Sequence, residues 1–124
     1  MTNEEIRIKI AQEKGWREAE GLLCPPEGDP RMSWAAEWDS HGIPHFMPDW
    51  PENIADAWEL VEEMPFYQIY KSQLVTGQPY YGCMCFMRLP CDEDNPDYIG
   101  EAGAVPRAIC LAWLAWDAAR KAEK

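Results

Sequence analysis

Apolar positions recur at helical spacing in three stretches of the chain and follow a strand pattern between the second and third. Near the N-terminus, Ile6 and Ile10 share a face at i,i+4 behind an acidic first turn, Glu4-Glu5, that suits the positive end of a helix dipole and that Thr2 or Asn3 can cap. Gly15 stands where a helix stop belongs, followed by Trp16 as a packing residue, so the pattern predicts a helix from about Glu4 to Lys14. Further on, Ile54, Ala57, Trp58 and Val61 fall at i, i+3, i+4 and i+7, with Glu52, Asp56, Glu59 and Glu63 on the opposite side. Asp49-Trp50-Pro51-Glu52-Asn53 reads as the start of this second helix, and Pro65 ends it. The last stretch, Val105 to Lys121, carries Ala108, Ile109, Ala112, Trp113 and Trp116 as one stripe, which Leu111, Leu114 and Ala115 widen almost all the way round until Asp117. Arg120, Lys121 and Lys124 match its negative end. A helix of that apolar girth is either the most buried element or part of an oligomer contact, and because it exceeds what one sheet face can easily bury, homo-oligomerisation is expected.

Phe66 to Leu74 is aromatic and β-branched enough for a strand, Thr76-Gly77-Gln78-Pro79 is a turn, and Tyr80 to Leu89 is a second strand, which together predict a β-hairpin. In the second strand Tyr81, Cys83, Cys85, Met87 and Leu89 project to one face and Tyr80, Gly82, Met84, Phe86 and Arg88 to the other. Both faces are largely apolar, a pattern that calls for cover on each side. Cys91 to Pro96 is an acidic loop, and Asp97 to Ala102 reads as a third, weaker strand. From Arg17 to Trp50 the periodicity dissolves: Cys24-Pro25-Pro26-Glu27-Gly28-Asp29-Pro30 is turn chemistry, and Gly42 and Pro44 punctuate the rest. Residues 17–50 therefore read as a long aromatic, Pro-rich loop insertion, of a kind that is often functional, within one domain spanning 1–124. The expected fold class is α+β: an α-β-α sandwich, an antiparallel sheet with a central hairpin flanked by helices, with Trp58, Ile109 and Trp113 in the core.

Composition narrows the functional classes. At 124 residues, 47% hydrophobic and 27% charged, the chain has the make-up of one folded domain. Its net charge of −11 repels phosphate backbones and anionic lipid, so neither duplex nucleic acid nor a membrane surface is an expected partner. Most of the carboxylates are accounted for by solubility. The acidic start Met1-Thr2-Asn3-Glu4-Glu5 is no secretory signal, and the longest apolar run, Ala108 to Trp116, is about half the ~20 residues a bilayer span needs, so a cytoplasmic location with its five cysteines as thiols is expected.

The segment Met47-Pro48-Asp49-Trp50-Pro51-Glu52-Asn53-Ile54-Ala55-Asp56-Ala57-Trp58-Glu59-Leu60-Val61-Glu62 resembles the Pro-Asp-aromatic segment and following Ala-Trp-Glu-Val helix of the phage ABA sandwich domain family. Val105-Pro106-Arg107-Ala108-Ile109-Cys110-Leu111-Ala112 is similar to that family's Pro-x-Ala-Ile-Cys-x-Ala helix, and an N-terminal helix ending in Gly15-Trp16 also fits. The segment from Arg17 to Phe46 has no counterpart in the resemblance, and Trp113 and Trp116 stand where smaller apolar residues are usual. The resemblance implies a small phage or prophage protein with helices flanking a sheet, and it implies no catalytic residue, cofactor or reaction.

Three constellations bear on chemistry. Cys83, Cys85 and Cys91 with His41 and His45 are zinc-ligand types, but a Cys-x-Cys within a strand lacks the x₂₋₄ spacing of structural sites, and buried small hydrophobes are the competing reading. No cysteine is surrounded by activating groups, Cys110 lies in an apolar helix that should silence it, and acid pairs such as Asp92-Glu93 and Glu62-Glu63 read as solvated charge, so no enzymatic activity is expected. The start of the last helix, Gly103-Ala104-Val105-Pro106, offers no side-chain cap while Arg107 adds a cation, an arrangement suited to an anion unless water or Glu101 satisfies it. Trp34 and Trp38, at i,i+4, can form an aromatic clamp over such a ligand, or simply pack beneath the loop. The expected function is that of a non-enzymatic accessory binding protein needing no cofactor. It would sequester a small anionic, nucleotide-like ligand such as an immune signal in counter-defence, with Arg107, Gly103, Trp34 and Trp38 as the ligand-binding residues. The alternatives are an interaction module for a host or phage protein, and a structural zinc-binding protein.

Overall fold

The computed structural model describes residues 1–19, 22–24, 47–88 and 95–122. Trp34, Trp38, His41, His45, Cys91, Asp92, Glu93 and Leu89 lie outside them. Helix α1 runs Asn3–Glu13. Thr2 is its N-cap, its hydroxyl accepting from the Glu5 N–H at 3.1 Å while the Glu5 carboxylate accepts from the Thr2 N–H at 3.4 Å, a reciprocal capping box. The stop is a Schellman motif: Gly15 adopts φ 100°, its N–H donates to the Gln12 carbonyl, and the Trp16 N–H donates to Ala11 at 2.9 Å, which turns the Trp16 ring into the core.

Within the stretch where the sequence pattern dissolves, β1 (Arg17–Ala19) pairs antiparallel with β2 (Leu22–Cys24). Helix α2 spans Ile54–Glu63, later than its Pro-containing lead suggests, because the Asn53 side chain caps it by accepting from the Asp56 N–H at 3.1 Å. Residues 49–53 instead form a turn closed by the Asn53 N–H on the Asp49 carbonyl. Arg7 fastens that lead to α1 by donating to the carbonyls of Pro48, at 3.0 Å, and Met47.

Strand β3 (Phe66–Gln73) and strand β4 (Pro79–Phe86) form the expected hairpin, and β5 (Tyr98–Ala102) adds to the far side of β4, giving an antiparallel order β3-β4-β5. The hairpin loop is a β-turn, Gly77 N–H to Leu74 carbonyl, followed by Gly77 itself at φ 89°, which rejoins the ladder through the Leu74–Gln78 bond. Cross-strand register places Cys83 and Cys85 on the face shared with Ile69, Tyr98 and Gly100; this face meets the helices. The other face carries Tyr70, Tyr80, Met84 and Ile99, where the Tyr70 ring lies over its partner Gly82 and fills the space a side chain there would need.

Helix α3 (Val105–Ala122) is the axis of the core, in contact with β4, β5, α1 and α2. Ala108, Ile109, Cys110, Ala112, Trp113 and Trp116 are all buried. The girth from which homo-oligomerisation is expected is thus largely covered within one chain. Its approach to β5 is direct. A Cβ on Gly100 would lie 2.8 Å from Leu111 Cβ and closer still to the Ala108 carbonyl oxygen and the Ala112 nitrogen, so helix backbone rests on strand backbone. The class is α+β, a hairpin-containing antiparallel sheet flanked by helices. Ile109 and Trp113 lie in the core as expected, but Trp58 does not: it is 39% exposed, and α2 buries Ala57, Leu60 and Val61 instead.

A tertiary hydrogen bond accompanies the rotation of α2. The buried Trp113 indole N–H donates to Glu63 Oε2 at 3.0 Å, while Lys14 at the end of α1 donates to the same oxygen at 3.0 Å and lies 5.5 Å from the Trp113 ring centroid. Glu63, assigned by periodicity to the solvent side, is therefore where three helices meet.

Gly100→Ala forces backbone apart and should destabilise the fold by about 1–3 kcal/mol or more, the cost of overpacking. Gly103→Ala, where an added Cβ meets nothing, should leave the urea midpoint nearly unchanged. Equal midpoints for the two variants in urea denaturation contradict the close approach.

Candidate functional site

At the start of α3, where an anion site is expected, the Arg107 guanidinium is engaged within the protein. Arg107 donates to Asn3 Oδ1 at 2.5 Å and to the Met1 carbonyl, tying the first turn of α3 to the first turn of α1. Asn3 in turn donates to Glu52 at 3.3 Å, so this tie reaches the lead into α2. Gly103 is exposed, with open space where a side chain would stand. The structure does not bring Trp34 or Trp38 to it, since both lie outside the described residues.

A groove of about 280 Å³ runs between α1 and α3, lined by Met1, Lys9, Glu13, Leu114, Ala118 and Lys121. Its floor is apolar, and its charged rim is already paired. Glu13 lies 3.1 Å from Lys9 and 2.7 Å from Lys121, and Lys121 also donates to the Glu13 carbonyl at 2.8 Å. The buried Asp117 continues the network, with Oδ1 accepting from Arg120 at 2.6 Å and Oδ2 facing Lys121 at 2.9 Å. The Arg120 guanidinium sits 4.5 Å from the Trp116 ring centroid. Hydrogen bonds from Lys121 and Lys9 hold the Glu13 carboxyl down at about 2. The groove closes the C-terminal ends of α1 and α3 against each other.

The three buried thiols of the sheet and α3 are chemically quiet. Burial pushes Cys83 and Cys110 up to about 12 and Cys85 to about 11, well above the range in which a thiolate forms near neutrality. Cys24, Cys83, Cys85 and Cys110 are free, and among the described residues no three His, Cys, Asp or Glu side chains are grouped to hold a metal ion. The remaining zinc-ligand types, His41, His45 and Cys91, fall outside those residues.

One face of α2 stands open, as do Leu74, Val75, Met87 and Ile99 on the hairpin and the sheet. Ile54 is 50% exposed, and Trp58, one turn on, meets Tyr67 of β3 edge to face, with ring centroids 5.7 Å apart and planes at 87°. Tyr67 is itself 41% exposed. Ile54, Trp58 and Tyr67 thus form a continuous apolar shelf across a helix and the adjoining strand, held by ordered backbone on both sides. The sequence reading missed it by assigning Trp58 to the core. The signal was the second stripe, Ala57, Leu60, Val61 and Met64, which has the same i, i+3, i+4, i+7 spacing and is the one buried.

No protein-family model, curated protein or solved structure matches the chain. Among the described residues, no helix is long and apolar enough to cross a membrane.

Two expectations follow. Arg107→Gln removes donors from Asn3 and Met1 and should lower the unfolding free energy by about 1–3 kcal/mol, as for a charge-assisted hydrogen bond lost from a structural tie; thermal denaturation checks it, and an unchanged midpoint contradicts a structural role. Because Glu13 is depressed from 4.5 to about 2 on folding, its contribution to stability is complete above pH 4.5 and is lost as pH falls towards 2. Glu13→Gln should therefore flatten the stability-versus-pH curve in that window, as read by urea titrations at stepped pH.

Proposed function

We propose that this chain is a non-enzymatic binding protein that works by contact with another protein, through the shelf of Ile54, Trp58 and Tyr67. The single observation that carries the reading is that a tryptophan and an isoleucine one helical turn apart are left open beside an exposed tyrosine, on a helix whose neighbouring stripe of Ala57, Leu60 and Val61 is buried. Isolated exposed apolar residues are ordinary, whereas contiguous aromatic ones on rigid elements mark contact surfaces, and Trp and Tyr are the residues that most often dominate binding energy. Burial of the Cys83, Cys85 and Cys110 thiols accords with a packing role for them. Free cysteines fit a reducing, cytoplasmic setting.

Capture of a small anion at the start of α3 is the weaker reading, since the donors of Arg107 already serve Asn3 and Met1. A phage setting rests on the resemblance alone and carries none of this argument.

Trp58→Ala tests the proposal because the residue contributes little to the core. Its removal should cost about 0.5–1.5 kcal/mol of stability, the worth of an aromatic pair, against about 3–5 kcal/mol for Trp113→Ala. Affinity purification from cells, with mass spectrometry of proteins and of small molecules released on denaturation, should return a protein partner that Trp58→Ala loses and Gly103→Ala keeps. A retained small molecule indifferent to Trp58→Ala overturns the reading.

A further inference from the structure

We propose that the occupant of this shelf is a cationic segment of another protein, an Arg- or Lys-bearing stretch with an apolar anchor; the inference rests on the shelf being a protein-contact surface. Between Asp49 and Glu63 the chain has six acidic residues, and from Pro48 to Tyr70 it has no Lys, Arg or His. Four of the six are engaged or set back. Glu63 accepts from Trp113 and Lys14, Asp56 from the Asp49 N–H, Glu52 from Asn3, and Asp49 is half-buried at the helix lead.

The two that remain, Glu59 and Glu62, are exposed and make no hydrogen bond or ion pair among the described residues. Helical spacing sets Glu62 one turn beyond Trp58 on the line through Ile54, with Glu59 at i,i+3 from Glu62 on the flank of that line. An open indole thus has one free carboxylate a turn away and a second next to that one. That combination suits a guanidinium or ammonium stacked on the ring with its donors turned to the acids.

Charge also decides between occupants. A second copy of this chain would bring another −11 and its own Glu59 and Glu62 to the contact, and an anionic lipid or nucleic-acid surface would meet the same repulsion. A cationic segment is drawn in by the whole field and finds counter-charges where the apolar anchor lands.

The test uses the full chain and three fluorescein-labelled amphipathic peptides of one sequence, rich in Leu with a single Trp, whose polar positions are all Arg, all Gln or all Glu. Binding is read by anisotropy at low and high salt and by chemical shifts of the Trp58 indole N–H. The Arg peptide should bind and shift Trp58, weakening as salt rises. Trp58→Ala and the double variant Glu59→Gln/Glu62→Gln should each weaken it about tenfold, the equivalent of about 1.4 kcal/mol, while Glu4→Gln changes it less than about twofold. If the Gln peptide binds as tightly as the Arg peptide and Trp58→Ala weakens both, the contact surface stands and its cationic preference is overturned. If no peptide binds, or the Arg peptide binds with no more dependence on Trp58, Glu59 and Glu62 than on Glu4, both the preference and the surface are overturned.

Discussion

The fold depends on how closely α3 lies on the sheet. With Gly100 in β5, the helix backbone at Ala108 and Ala112 comes down onto the strand, and the small side chains Ala108 and Ala112 keep that approach open. Helix–sheet contact at this distance puts Ile109, Cys110 and Trp113 among Cys83, Cys85 and the inward residues of α2 in one continuous core. Two cysteines at the centre of the sheet then serve as small hydrophobes, and the burial that suits them to packing also raises their pKa and silences them.

From that seat α3 governs the other two helices. Its first turn reaches α1 through Arg107 and Asn3, and its last turns reach α1 again through Asp117, Lys121 and Glu13, so the two helices are joined at both ends. Its middle fixes α2 through the Trp113 indole and Glu63. Burial of Leu60, Val61 and Met64 goes with that hydrogen bond, and the same orientation of α2 carries Ile54 and Trp58 outward. The proposed contact surface is in this sense a consequence of the core.

Much of this was legible before any coordinates. The α1 boundaries, its cap and its glycine stop follow from Thr2, Glu5 and Gly15, whose local chemistry leaves few alternatives. The hairpin, its Gly77 turn and the third strand follow from alternation and turn residues. The small pair β1–β2 was missed because three-residue strands are too short for alternation to show. Periodicity alone leaves the face of α2 open because two stripes of equal spacing compete there, Ile54-Ala57-Trp58-Val61 and Ala57-Leu60-Val61-Met64, and tertiary packing buries the second. The sequence offers Arg107 as an anion ligand and gives no sign of its partners Asn3 and Met1, which lie more than a hundred residues away in the chain.

Native-state amide hydrogen exchange measures the central claim, that α3 seated on β4 and β5 is the last element to open. Amides from Ala108 to Trp116 and in the centre of β4 should exchange only through global unfolding, with protection free energies equal to that from denaturant titration and a full share of the denaturant dependence. Exposed turns of α2 around Ile54 should open at lower cost. Exchange of the Ala108–Trp116 amides through a local opening, well below the global unfolding free energy, would contradict the account.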